Sequence, residues 1–90
     1  MVFEVVTTLE GAEVLRRAKW FFAERVPNQA AFPEKEGPAW LALRGQGGEE
    51  IAFAVRAEGG TTLVRASTLL FDQAVDRFLS TLPVPAEQRA

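Results

Sequence analysis

The sequence contains no cysteine, no histidine and no tyrosine, and these absences remove several kinds of chemistry. Without cysteine there is no disulfide and no thiolate nucleophile, and without histidine there is neither an imidazole base nor the usual nitrogen ligand of zinc. We therefore predict no metal site and no cofactor, and the sequence identifies no catalytic residue. An enzyme is the less favoured class, because only carboxylates, lysines and arginines remain for acid–base work.

The sequence also lacks long apolar runs and a strong charge of one sign. No stretch approaches the ~20 apolar residues of a membrane span. The N-terminal segment carries Glu4 and no basic region before an apolar run, so it does not resemble a signal peptide. These features predict a cytoplasmic protein without membrane contact. A net charge of -2 and a pI of about 5.1 make nucleic acid an unfavoured partner.

What is present is typical of one small globular domain. The chain has 90 residues, of which 48% are hydrophobic and 24% charged. We predict a single soluble domain over residues 1–83 and a flexible tail over residues 84–90, which contains Pro85 and no periodic apolar pattern. Arginine outnumbers lysine and glutamate outnumbers aspartate, a leaning compatible with a thermophilic source.

Periodicity predicts an α+β fold in the order β-α-β-β-β-β-α, with both helices packed on one face of an antiparallel sheet. Residues 2–8 alternate as a strand, and apolar residues then recur every three or four positions from Leu9 to about Val26, with Thr8 as cap and Pro27 and Asn28 as the stop. A second helix follows Ser67 or Thr68, either of which can cap it. Its apolar stripe comprises Phe71, Ala74, Val75, Phe78, Leu79 and Leu82.

The residue pattern in the middle of the sequence predicts an edge strand and a three-stranded meander. Pro33 confines the segment from Ala30 to Glu36 to an edge, because proline cannot donate to a central ladder. The glycine turns at 46–48 and 59–60 then fix the registers of the strands that follow. The predicted inward pairs are Leu43 with Ile51, Leu41 with Phe53, Phe53 with Ala66, and Val55 with Val64.

The same registers predict what lies on the face without helices. Arg44 lies beside Glu50 on this face. If the first strand pairs beside the last, as a helix crossover between them would allow, Val2, Glu4 and Val6 join it. Trp40 could stack on a ligand, pack against a second subunit or hold Arg65 by a cation–π contact. Alternatively it covers the neighbouring alanines. The predicted binding or interface residues are Trp40, Ala42, Ala52, Ala54, Arg56, Leu63 and Arg65.

Other candidate motifs have simpler interpretations. The glycines from Gly45 to Gly48 lead into a strand and precede two glutamates, which favours a hairpin turn over a phosphate loop. Asp72 and Asp76 share a helix face but have no histidine to complete a metal site. Lys19 precedes an aromatic cluster and is expected to extend to solvent.

Three segments carry a resemblance to known folds. The opening strand VFEVVTT, the meander from Trp40 to Thr68 and the terminal helix from Leu70 to Leu82 follow one another in the order of helix-grip proteins of the START-like superfamily. The same order is similar to a half-repeat of TATA-binding-protein-like folds. The helix-grip resemblance implies a ligand space between the sheet and the terminal helix, which Ile51, Phe53, Phe71 and Phe78 are expected to fill.

Two functional hypotheses follow. The first is a non-catalytic binding or interaction domain that forms a homodimer, or meets a protein partner, through the face that carries Trp40. The alternative is a small helix-grip carrier of an apolar molecule, held between the sheet and the second helix.

Overall fold

The computed structural model describes residues 1–26 and 30–85, which form a five-stranded antiparallel sheet and two helices. The element order and the α+β class predicted from the sequence are confirmed. Along the sheet the strands follow the order β1-β5-β4-β3-β2. The elements are β1 (Val2–Thr7), α1 (Gly11–Glu24), β2 (Ala31–Gly37), β3 (Trp40–Gly45), β4 (Glu50–Glu58), β5 (Thr61–Thr68) and α2 (Asp72–Leu79).

Glycine turns set the registers of the three central strands. Gly59 and Gly60 connect β4 to β5 with φ values of 55° and 88°, and Gly48 ends the β3–β4 turn with a φ of 91°. L-residues with side chains rarely adopt these conformations, whereas glycine does so freely. All four predicted inward pairs are present: Leu41 with Phe53, Leu43 with Ile51, Phe53 with Ala66, and Val55 with Val64.

The two edges of the sheet also match the sequence pattern. β2, which contains Pro33, is one edge and has a register shift between Pro33 and Lys35. β1 is the other edge and pairs with β5, so that Val2 lies opposite Ser67 and Glu4 opposite Arg65. The bulge and the proline make β2 a poor template for pairing with another chain.

The helix starts differ from the prediction. α1 begins at Gly11 with Glu10 as its cap and no capping side chain, so the role predicted for Thr8 is wrong. Thr7 is used instead: its buried hydroxyl donates to the carbonyl of Pro83 at 2.6 Å and accepts from the Leu9 amide. The Thr68 hydroxyl accepts from the Phe71 amide at 3.2 Å, but β5 runs through Thr68 and α2 begins only at Asp72.

A single core joins both helices to the same face of the sheet. At its centre are phenylalanine rings from three elements, with centroids 5.9 Å apart for Phe22 and Phe53 and 5.5 Å apart for Phe53 and Phe78. The Phe53–Phe78 pair is edge-to-face and the Phe22–Phe53 pair is tilted, and such ring contacts add to the free energy gained by burying the rings. The predicted stripe of α2 is buried throughout, from Phe71 to Leu82.

Some predictions concern residues that the structure does not describe. The stop of α1 at Pro27 and Asn28 and most of the tail over residues 84–90 lie outside the described ranges, and α1 ends at Glu24 within them. Neither helix of the described chain has the length and apolar character needed to cross a bilayer.

Candidate functional site

The outer sheet face is the side of the sheet that carries no helix. The structure brings the seven predicted site residues together on it. In adjacent rows, Trp40 lies opposite Ala54 and Ala54 opposite Arg65, while Ala42 and Ala52 are paired. Arg56 is paired with Leu63. The indole of Trp40 remains 43% exposed, so it does not belong to the core.

The Trp40 indole leans toward the β2 edge and lies over its register partner, Gly37. A methyl group added at Gly37 would collide with the indole ring, so the absence of a side chain there permits this position. The ring consequently leaves part of the alanine surface uncovered. A shallow depression of about 240 Å³ is left, lined by Trp40, Leu41, Ala42, Ala52, Phe53, Ala54, Arg65 and Ser67.

The arginines of the outer sheet face are paired with glutamates of the same face. Arg44 makes two hydrogen bonds to Glu34, at 2.6 and 2.8 Å, and this contact holds the pKa of the Glu34 carboxyl below its usual value. Arg65 lies 3.7 Å from Glu4. The cation–π contacts within the described residues involve Trp20 and Phe21, so the contact considered between Arg65 and Trp40 does not form.

Two exposed apolar residues, of which only Val2 was placed on this face from the sequence, lie at the edges of the outer sheet face. Phe32 lies opposite Arg44 at the β2 edge and is 51% exposed, and Val2 is exposed at the β1 edge. The alternation of buried Ala31 with exposed Phe32 was available in the sequence. The face on which Phe32 lies could not be predicted from it, because Pro33 makes this strand too irregular for its register to be inferred.

The other candidates from the sequence stand apart from this face. Between Gly45 and Gly48 the chain makes a tight turn, in which the Gly48 amide donates to the Gly45 carbonyl at 3.1 Å. Lys19 extends from α1 to Glu36, with 2.9 Å between Nζ and Oε1. Among the described residues, no three acidic side chains cluster closely enough to hold a metal ion, so Asp72 and Asp76 remain a pair.

The space between the sheet and α2 bears on the carrier hypothesis. Phe78 on α2 and Phe53 on β4 are buried and in ring contact, and Phe71 closes the same region against Phe22. The rings thus fill the space that a ligand would need. This packing weighs against a cavity for an apolar molecule at that position.

A groove between the two helices was not predicted from the sequence. It has a volume of about 470 Å³ and is lined by Arg16, Arg17, Trp20, Phe21, Arg25, Phe78 and Thr81. Beside it, Glu13 accepts hydrogen bonds from Arg16 at 2.6 Å and from Arg17 at 2.8 Å. Spacing on α1 brings Glu13, Arg17 and Trp20 to one side, but the position of α2 could not be read from that spacing.

The two arginines lower the pKa of Glu13 from 4.5 to about 2. Their hydrogen bonds and charge favour the ionised carboxylate, so we expect Glu13 to stay charged as the pH falls through 4. Its contribution to folding is present above pH 4.5 and is lost as the pH falls toward 2. Carbon-detected NMR titration of the Glu13 carboxyl would measure this. Arg16→Gln/Arg17→Gln should return the midpoint toward 4.5, whereas Arg65→Gln on the outer sheet face should leave it unchanged.

The chain matches none of the family models, curated proteins or solved structures with which it was compared. Its fold defines a small α+β domain with one helix-covered and one open sheet face.

Proposed function

We propose that the protein is a non-catalytic interaction module that forms a homodimer through the outer sheet face. The observation that carries this proposal is the half-exposed Trp40 indole beside a depression whose lining includes three alanines. In a two-fold interface the same patch of each subunit meets that of the other. A side chain beside a depression on one copy can therefore enter the depression of the second copy. In this arrangement Trp40 of one copy occupies the alanine depression of the second copy.

The charge pattern supports a second copy as the occupant. The outer sheet face holds equal numbers of cationic and anionic side chains, so two copies approach without net repulsion. A nucleic acid or an anionic surface would instead favour an excess of basic residues. The balanced set is Lys35, Arg44, Arg56 and Arg65 with Glu4, Glu34, Glu50 and Glu58.

The size of the face also suits a dimer. Five strands about 4.8 Å apart, each with about seven residues rising 3.3 Å, give a face of roughly 24 by 23 Å. A stable interface commonly buries about 800 Å² on each partner, which a face of this size approaches once its protruding side chains are included. Burial of Trp40 would provide the kind of aromatic anchor that dominates many interfaces.

The test is the mass of the protein in solution, measured by sedimentation velocity over a range of concentrations. We expect the wild-type chain, of 9.9 kDa, to sediment as a dimer. Trp40→Glu places a charge in the proposed interface and should weaken association by at least about 100-fold, or about 2.7 kcal/mol. Trp20→Glu is the matched control, because Trp20 is at least as exposed as Trp40 but lies on the helix side, and it should leave the dimer intact.

Two results would contradict the proposal. A wild-type protein that stays monomeric at about 100 µM would remove the homodimer, since that concentration exceeds the Kd of most specific complexes. A Trp40→Glu variant that remains dimeric would show that the copies associate through a different surface.

A further inference from the structure

We infer that the groove between α1 and α2 is a binding site for a small organic anion with a flat apolar body, such as an aromatic carboxylate. The groove is open to solvent and has a volume of about 470 Å³, within the range of about 300–1,000 Å³ of ordinary ligand sites. It lies on the helix layer, on the opposite side of the molecule from the outer sheet face. The site is therefore independent of the proposed dimer.

Aromatic rings from both helices form the apolar part of this groove. Trp20 on α1 is 53% exposed, which is unusual for an indole beside a core. Phe21 follows it and contacts Phe78 of α2, with ring centroids 5.4 Å apart. The two helices thus present an exposed indole beside a closed pair of rings, a surface on which a flat ligand can stack.

Guanidinium groups lie at the faces of these rings. The Arg25 guanidinium is 5.5 Å from the centre of the Trp20 ring, and that of Arg77 is 5.7 Å from the centre of the Phe21 ring. Within residues 1–26 and 30–85, neither arginine forms an ion pair with a carboxylate. Their charges are held in place by aromatic contact, which leaves their hydrogen-bond donors available to a ligand.

Arg17 adds further donors at the groove, which it lines together with Arg16 and Arg25. It uses Nε to bind Glu13 at 2.8 Å, while its two terminal nitrogens make no hydrogen bond to the described part of the chain. Glu13 therefore orients Arg17 without occupying its whole fork. Because an arginine fork binds a carboxylate through two parallel hydrogen bonds, these donors suit a carboxylate better than a neutral amide.

The surrounding charges favour a single anionic group and not a polyanion. Glu24 lies one turn after Trp20 on α1, and Glu13 neutralises part of the charge of Arg16 and Arg17. A chain of phosphates would meet both glutamates, and the whole protein is acidic. A ligand with one carboxylate and an apolar ring system meets the arginines and the indole together.

The experiment compares 2-naphthoate with 2-naphthamide, two probes of similar shape that differ in charge. Binding is followed by the indole N–H signals of Trp20 and Trp40 in ¹H–¹⁵N NMR spectra, assigned with Trp20→Phe and Trp40→Phe. We expect naphthoate to shift the Trp20 signal to saturation with a Kd at least about tenfold lower than that of the amide, or about 1.4 kcal/mol. The Trp40 signal should not move.

Variants assign the preference to the arginines. Arg17→Gln/Arg25→Gln, which changes two of the arginines that line the groove, should remove most of the preference for the acid, whereas Lys19→Gln/Lys35→Gln removes the same charge elsewhere and should retain it. Glu13→Gln should tighten naphthoate binding by about threefold, because it releases Arg17 from its ion pair. Equal affinity for acid and amide, movement of Trp40 in place of Trp20, or no saturable binding would each overturn the inference, whatever the mass of the protein proves to be.

Discussion

Leu43→Lys is expected to unfold the protein, whereas Ala42→Lys, one position earlier in β3, is expected to leave it folded. Leu43 is fully buried against the helices, with 0% of its surface exposed, and Ala42 lies on the outer sheet face. A lysine in place of Leu43 would either bury an ammonium group or lose its charge, and it would remove an apolar contact as well. The combined cost of several kcal/mol is a large part of the roughly 5–13 kcal/mol that stabilises a domain of this length.

Chemical denaturation followed by circular dichroism measures this difference. The free energy of unfolding of Ala42→Lys should lie within about 1 kcal/mol of the wild-type value, because the lysine side chain can extend into solvent. Ala42→Lys should nevertheless weaken the proposed dimer, since two copies would bring like charges into the same interface. If the two variants were equally destabilised, the alternation of faces along β3 would be wrong.

The registers could be predicted because short glycine turns leave few alternatives. A two-residue loop at Gly59 and Gly60 allows one pairing that places Val55 opposite Val64, and a shift by one residue would turn every apolar side chain outward. The same reasoning applied to the β3–β4 turn gave a consistent sheet. The rows of the outer sheet face follow from these two turns.

The position of the Trp40 ring could not be predicted from register alone. Two neighbours were open to it, the alanines of β4 and Gly37 of β2, and the ring lies over the glycine. That choice depends on the side-chain rotamer and on the bulge in β2, which no local pattern specifies. The depression on the outer sheet face is left open because the ring lies over the glycine.

The groove between the helices was missed for a related reason. Periodicity identifies the buried stripe of each helix separately, but the groove is formed by residues at the borders of two stripes. Trp20 comes from α1 and Thr81 follows α2, 61 positions later in the numbering. Only the packing of both helices on one sheet brings these residues together.

Phe78→Ala should be the most destabilising change in α2. The Phe78 side chain is 1% exposed and touches rings from two other elements, Phe21 and Phe22 on α1 and Phe53 on β4. Truncation removes these contacts and leaves a cavity, at a cost of about 3–5 kcal/mol. Phe32→Ala is the matched control: this ring is 51% exposed on the outer sheet face, so its loss should cost less than about 1 kcal/mol.

Thermal and denaturant unfolding of the two variants would give these free energies. A small ligand can then test whether a cavity causes the loss of stability. An apolar cavity in the Phe78→Ala variant should remain dry and accept benzene, which should raise the melting temperature of that variant alone. A wild-type protein that gained the same stability from benzene would contradict the filled space seen between the sheet and α2. It would restore the carrier hypothesis, because the native core would then already hold room for an apolar guest.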